Sequence, residues 1–247
     1  MRINRYVAAS GHCSRREADR LVADGKVTIN GKTAVIGDEV GSGDLVNVDG
    51  KPIRPSRDSE LVYLALNKPV GITTTTDLRR RDNIIAFLNY PKRIFPIGRL
   101  DRDSEGLILL TNDGSIVNRI LRAEFGHEKE YEVTVDRVPT EAMLNTMRDG
   151  IELDGRMTLS VRIKMTGKTS FRIVLKQGLN RQIRRMCEAV GLSVVRLKRI
   201  RIMHITLGNL PVGHYRLLTA KERRDLIALL EQAEAAVNRA KPRQTQP

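Results

Sequence analysis

The stretch Gly98-Arg99-Leu100-Asp101-Arg102-Asp103-Ser104-Glu105-Gly106-Leu107-Ile108-Leu109-Leu110 places one aspartate between two arginines. A glycine then admits an apolar strand, Leu107 to Leu110. Nearby cations favour the ionised form of a carboxylate, so Asp101 should stay charged and aimed. At the mouth of a strand in a basic protein, such a group reads as a nucleophile for a polyanionic substrate. A plain polar turn ahead of a strand would also use Asp, Ser and Gly. The remainder of the chain has to decide between the two.

Around this segment, strands alternate with short helices. Val62 to Leu66 reads as a buried strand and Ile84 to Leu88 as a helix; Asp113 is placed to cap a helix carrying Ile116, Val117, Ile120 and Leu121. Lys129 to Val135 alternates as a strand, Thr140 opens a helix, and strands are expected at Thr158–Met165 and Phe171–Lys176. A Thr219-to-Glu222 capping box begins the last helix. The βαβ order is not sustained, which excludes a doubly wound parallel sheet. The fold class expected is α+β with a mixed, mainly antiparallel sheet. Boundaries follow from composition: a small domain over 1–50, a linker over 51–60 stiffened by Pro52 and Pro55, a catalytic domain over 61–234, and a disordered tail over 235–247.

The front domain reads as two helices and small β structure. Tyr6 to Ala9 begins a helix that Gly11 can stop; Ser14 and Glu17 form a capping box, and Gly25 ends the second helix. Val27-Thr28-Ile29 runs into Asn30-Gly31, a strong hairpin signal, and Leu45 to Val48 runs into Asp49-Gly50 in the same way. Residues 1–32 carry a net charge of +4, with Arg15 and Arg16 in the first turn of the second helix beside its free N–H groups. That combination suits a phosphate backbone, although a solvated helix face would look similar.

The whole chain of 247 residues has a formal charge of +14 with 40% hydrophobic residues. A protein with a real core and this much positive charge is expected to meet nucleic acid. No run approaches a membrane span and no signal-peptide core follows Met1, so no membrane association is expected. Cys13 and Cys187 have no paired spacing, and the four histidines are scattered, which argues against a disulfide framework or a metal site. The cytoplasm is the expected compartment. Gly25 to Thr33 only superficially resembles a phosphate loop, since five residues separate its glycines and it spans a hairpin. No cofactor is expected.

Two further segments carry chemistry. In Gln177-Gly178-Leu179-Asn180-Arg181-Gln182-Ile183-Arg184-Arg185-Met186-Cys187, Asn180 is a candidate N-cap. Ile183, Met186, Cys187 and Val190 then share one helical face while Arg181, Arg184 and Arg185 share another. Helix starts favour acidic side chains, so arginines there point to an anion, either phosphate or a buried carboxylate. From Gly178 to Arg201 the net charge is +6, and a strand over 194–202 is expected to show a basic face. In His127-Glu128-Lys129-Glu130-Tyr131-Glu132-Val133, Tyr131 reads either as core or as a ring stacking on an extruded base.

Taken together, Gly98–Asp101, Lys129-Glu130-Tyr131 and Gly178–Met186 resemble the ribosomal-RNA pseudouridine synthases of the Rsu/Rlu type. Residues 2–48 are similar to the small RNA-binding domain named after the fourth small-subunit ribosomal protein. Asn89 to Gly98 and Arg201-Ile202-Met203 resemble the branch acting on large-subunit rRNA and, in some members, a tRNA anticodon. The resemblance implies a cofactor-free isomerisation of uridine to pseudouridine. It implies Asp101 as the nucleophile or essential carboxylate, Arg181 (alternatively Arg184) as its partner, and Tyr131 stacked on the flipped uracil. Whether Asp101 attacks the ribose, adds to the base or removes a ribose proton stays open. RNA contacts are expected from Arg99, Leu100 and Arg102, from Gln182, Ile183, Arg184 and Arg185, and from Arg15, Arg16 and Lys26 in front. The partners implied are 23S rRNA and a tRNA, met by a monomer. The alternatives are a small-subunit (16S) rRNA substrate, a non-catalytic ribosome-assembly factor, and a DNA-binding regulator, against which the hairpins after the two front helices argue.

Overall fold

Ser14 caps the second helix as its spacing from Glu17 requires, its Oγ accepting the Glu17 amide at 3.1 Å. In the computed structural model, which describes residues 1–57 and 60–240, that helix is α2 (Arg15–Ala23), preceded by α1 (Ile3–Ala9). α1 begins three residues earlier than the sequence suggests, because Ile3 and Val7 lie one turn apart and both are buried. β1 (Val27–Ile29) and β2 (Lys32–Thr33) are joined by Asn30-Gly31 with φ of 50° and 81°, the left-handed pair that a two-residue hairpin demands. β3 (Val46–Val48) and β4 (Lys51–Ile53) repeat the device across Asp49-Gly50. The strand order is β2-β1-β3-β4, and Ile3, Val7, Ala18, Val22, Val27, Val46 and Val48 fill the core beneath.

β4 corrects one expectation. Lys51-Pro52-Ile53 reads as linker because of its proline, yet it pairs with β3. β4 ends the sheet, where a residue without an N–H costs no ladder bond on the open side. Residues 54–57 have no helix or strand, and residues 58 and 59 of the expected linker lie outside the described residues. The chain divides into two units, the first being Met1–Val62 with Pro91–Ile94 and Thr111–Gly114.

The second unit is built on β5 (Tyr63–Lys68), α3 (Ile84–Leu88), β6 (Phe95–Ile97), β7 (Glu105–Thr111) and α4 (Val117–Leu121). β8 (Lys129–Val135), α5 (Glu141–Asp149), β9 (Glu152–Leu153), β10 (Arg156–Met157) and β11 (Arg162–Met165) follow. β12 (Ser170–Leu175), α6 (Gln182–Ala189), β13 (Val194–Ile202), β14 (Ile205–Thr206), β15 (Tyr215–Leu217) and α7 (Ala220–Ala240) complete it. Among the described residues β9 and β10 pair with each other, and the other nine strands form one sheet, ordered β11-β12-β8-β13-β7-β5-β15, with β14 on β13 and β6 on β7. β13 runs parallel to β7 and antiparallel to β8, so the sheet is mixed, within an α+β fold.

Leu107, Ile108, Leu109 and Leu110 are at most 1% exposed, as a central strand covered on both faces must be. Met147 of α5 and Ile183, Met186 and Cys187 of α6 pack against Val133, Phe171, Ile173 and Leu197. α4 starts at Val117 with Ile116 as its first flanking residue, so Asp113 does not cap it. Thr140 and Thr219 do cap their helices, at 3.3 and 3.1 Å. The expected tail is helical over 235–240, and 241–247 lie outside the described residues.

Candidate active site

Asp101 sits in the turn between β6 and β7, and that turn is clamped from one side. The Thr74 hydroxyl donates to the Leu100 carbonyl at 2.7 Å and accepts the Leu100 amide at 3.2 Å. The Gly71 amide reaches the Arg102 carbonyl at 2.7 Å, and the Ser104 amide closes the turn on the Asp101 carbonyl at 3.1 Å. The backbone at Asp101 is thereby held, while 27% of its side chain stays open.

Arg181 faces it from the entrance to α6. Its φ of 46° puts a non-glycine residue in the left-handed region, a strain that folds tend to keep where a side chain must be aimed. It displaces Asn180 from the expected capping position; the Gln182 Oε1 accepts the Leu179 amide at 3.0 Å instead. The Arg181 guanidinium comes within 3.8 Å of Asp101, but its two hydrogen bonds, at 3.3 and 3.2 Å, go to Asp103. Arg184 also serves Asp103, with Nη2 on its carbonyl at 3.0 Å and within 3.3 Å of its carboxylate, while Nη1 donates to Val194 at 3.1 Å. Burial pushes the Asp103 carboxyl upward, but the Arg181 hydrogen bonds and the charges of Arg184 and Arg181 outweigh it and hold the group below the usual carboxylate range. Asp103 therefore carries the arginine pairing expected of Asp101, and Asp101 is a close electrostatic neighbour of Arg181 without its hydrogen bonds.

Tyr131 lies at the centre of β8, opposite Ile173 of β12 and Arg199 of β13, and Arg199 in turn lies opposite Gly106 of β7. A Cβ on Gly106 would collide with the Arg199 carbonyl and lie 2.7 Å from its amide nitrogen, so only glycine lets β7 approach β13 here. Arg199 is 3% exposed. Sequence alone counts it within a basic strand face, and that face does not form. Arg196 is bridged to Glu105, Arg201 bonds Glu130 and Glu128 at 2.8 and 3.1 Å, and Arg199 turns inward beneath Tyr131. One residue's shift at each of two bulges in β13 is what breaks the alternation.

Asp101, Tyr131, Arg181 and Arg199 line one cavity of about 410 Å³, together with Arg99, Leu100, Lys129, Gln182 and Ile183. A second hollow of about 320 Å³ opens on the other side of Asp101, between Gly71, Thr73, Arg102 and Asp103. Burial holds Lys129 down to about 8, helped by the Arg199 charge, and burial likewise holds Lys68 down to about 8 against the pull of Asp103 and Asp101. Lys68 is fully buried with Nζ on the Pro69 and Ile72 carbonyls at 2.9 and 2.8 Å. Lys68, Thr74 and Arg199 escape sequence reasoning; the register of Arg199 against Tyr131 exists only once the strands pair.

The other expected contacts divide. Arg99 is exposed at the cavity rim, whereas Leu100, Gln182 and Ile183 are at most 6% exposed and form its wall. Arg102 bonds Asp82 at 3.1 Å and the Gly71 carbonyl at 3.2 Å. Arg185 is tied to Asp154 at 2.9 and 2.6 Å, and its guanidinium is taken up there instead of facing the cavity. Arg15, Arg16 and Lys26 are exposed in the first unit. Among the described residues no group of three His, Cys, Asp or Glu side chains is gathered as a metal site requires, and no helix is long and apolar enough to cross a membrane.

A mixed sheet carries an aspartate turn, a tyrosine and an arginine around one cavity, and the sequence comparisons give the class of protein this belongs to. Residues 62–189 match the RNA pseudouridylate synthase family and residues 1–46 the S4 domain; the chain belongs to the RNA pseudouridylate synthase family. It is 51% identical over 246 residues to the dual-specificity RNA pseudouridine synthase RluF of Escherichia coli K12, covering 98% of this chain and 85% of that one. It is 35% identical over 244 residues to the ribosomal large subunit pseudouridine synthase B of Bacillus subtilis, covering 95% and 99%. A crystal structure of a pseudouridylate synthase superposes with a TM-score of 0.67 at 29% identity, over 92% of this chain and 99% of that one. The protein is an RNA pseudouridine synthase, an isomerase with an RNA-binding front domain.

Proposed function

We propose that this enzyme isomerises a uridine of large-subunit (23S) rRNA and also an anticodon uridine of a tRNA, as a monomer in the cytoplasm. The names of its relatives, one dual-specificity and one acting on the large ribosomal subunit, support that pair of substrates. The observation that carries the reading is the single cavity shared by Asp101, Tyr131 and Arg181, residues from three separate stretches of chain. Residues 61–234 carry the chemistry, and Arg15, Arg16 and Lys26 in front hold RNA phosphates.

The reaction breaks the bond from uracil N1 to ribose C1′ and forms one from C5 to the same carbon. A proton leaves C5 and one is gained at N1, so no electron or group donor is required. Asp101 is the reacting carboxylate. Arg181 stands 3.8 Å away; at an effective dielectric near 20 the gross attraction is about 4 kcal/mol, and partial exposure leaves less. Tyr131 stacks on the extruded base, whose unstacking costs a few kcal/mol that phosphate contacts offset, and its hydroxyl relays the proton that leaves C5. Arg99 at the cavity rim is free to meet the backbone of the flipped nucleotide.

The test has two parts. Asp101→Asn should bind rRNA transcript within about twofold of the parent and form no pseudouridine; detectable turnover would remove Asp101 from the chemistry. Pseudouridine mapping of rRNA and tRNA from a strain lacking the protein should lose one large-subunit position and one anticodon position. Loss of a small-subunit position in their place would reassign the substrate.

A further inference from the structure

We propose that Arg199 is a positioning residue of this site, holding the Tyr131 hydroxyl at a fixed place relative to the Asp101 turn. The inference rests on the role given to Tyr131 above. Arg199 Nε donates to the Leu107 carbonyl at 2.6 Å, which locks the side chain along β7. Its Nη1 reaches the Arg99 carbonyl at 3.4 Å and the Tyr131 hydroxyl at 3.5 Å. One guanidinium thus touches the strand after Asp101, the turn before it, and the tyrosine across the cavity.

The guanidinium carbon also lies 5.9 Å from the Tyr131 ring centroid, within range of a cation–π attraction. Its Nη2 is buried without a hydrogen-bond partner. A buried, unsatisfied donor costs stability, and a chain bears that cost where the charge is needed for something else. A packing role would be met by an aliphatic residue, because a guanidinium at 3% exposure brings a desolvation penalty that Leu or Met avoids. Gly106 reinforces the point, since its missing side chain lets β13 bring Arg199 against β7. The ties to Arg99 and Tyr131 are long for hydrogen bonds, and such contacts tighten when substrate fills a site.

A double-mutant cycle tests this. The four proteins are the parent, Tyr131→Phe, Arg199→Met and the double variant. Each is measured by single-turnover pseudouridine formation at saturating RNA, with RNA affinity and melting temperature recorded beside it. Arg199→Met should lower the rate about tenfold in the parent while leaving RNA affinity within twofold, and should cost less than twofold in the Tyr131→Phe background, the coupling expected of residues in contact. Equal losses in both backgrounds, or a parental rate in Arg199→Met, would overturn the proposal. Arg199→Lys keeps the charge but not the fork, and covers the case in which the methionine variant does not fold; it should show the same dependence on the tyrosine hydroxyl. Tyrosine ring-carbon NMR reads the contact without RNA or turnover. Of the five tyrosine signals, the one missing in Tyr131→Phe should move in Arg199→Lys, and an unmoved signal would count against the contact. A parental rate in Tyr131→Phe alone would instead defeat the assigned role of its hydroxyl.

Discussion

Asp103 is the residue whose position changes the reading of this site most. A carboxylate two residues past Asp101 takes both hydrogen bonds of Arg181 and two contacts from Arg184. That arrangement frees the Asp101 oxygens for substrate while keeping a cation 3.8 Å away. Arg181 thus braces the turn through Asp103 and places a positive charge beside Asp101. Arg181→Ala should therefore reduce turnover by about 100-fold, the scale for losing one preorganised charge at a reacting group. Arg79→Ala should change it by less than twofold, since Arg79 is exposed and, among the described residues, bonded to its neighbour Asp77 alone. Comparable losses from the two variants, in the same single-turnover assay, would separate Arg181 from the chemistry. The sequence could place Arg181 at a helix entrance, but choosing between Asp101 and Asp103 needs the αL turn at Arg181, which no local pattern announces.

At the scale of elements, β7 and β13 make the site by running parallel where most of the sheet is antiparallel. Their approach depends on Gly106, at φ 103° and without space for a methyl group. Gly106→Ala should destabilise the protein by at least about 2 kcal/mol, from overpacking and a left-handed backbone combined. A urea midpoint that stays within error of the parent would mean the two strands can separate without cost. The sequence identified β7 from its apolar run and β8 from its alternation. It did not show that Arg199 would be buried: Leu197 to Arg199 pair with β8 in unbroken register, and an arginine in phase with a buried leucine reads in sequence like one in a solvated basic strand.

For the molecule as a whole, a charge of +14 makes phosphate contact the main source of affinity. Arg15 and Arg16 are exposed at the start of α2, with its free amides beside them. Replacing both with alanine should lower the slope of log affinity against log salt by about 1.4 to 1.8, one counterion each. A slope equal to the parent's, in binding titrations across salt, would place the RNA elsewhere on the first unit. The Ser14 cap, the Thr219 capping box, the Asn30-Gly31 hairpin and the strand of β7 were fixed by local chemistry, and sequence alone determined them. The trio of Asp101, Tyr131 and Arg181 was legible only through the resemblance to a family, and the fold brings the three to one cavity. Tertiary structure alone decided that Pro52 belongs to an edge strand, that Asp103 receives the arginines, and that Arg199 lies beneath Tyr131. Those outcomes depend on which strands become neighbours and in what register, and a contact between residues 68 positions apart leaves no period to read.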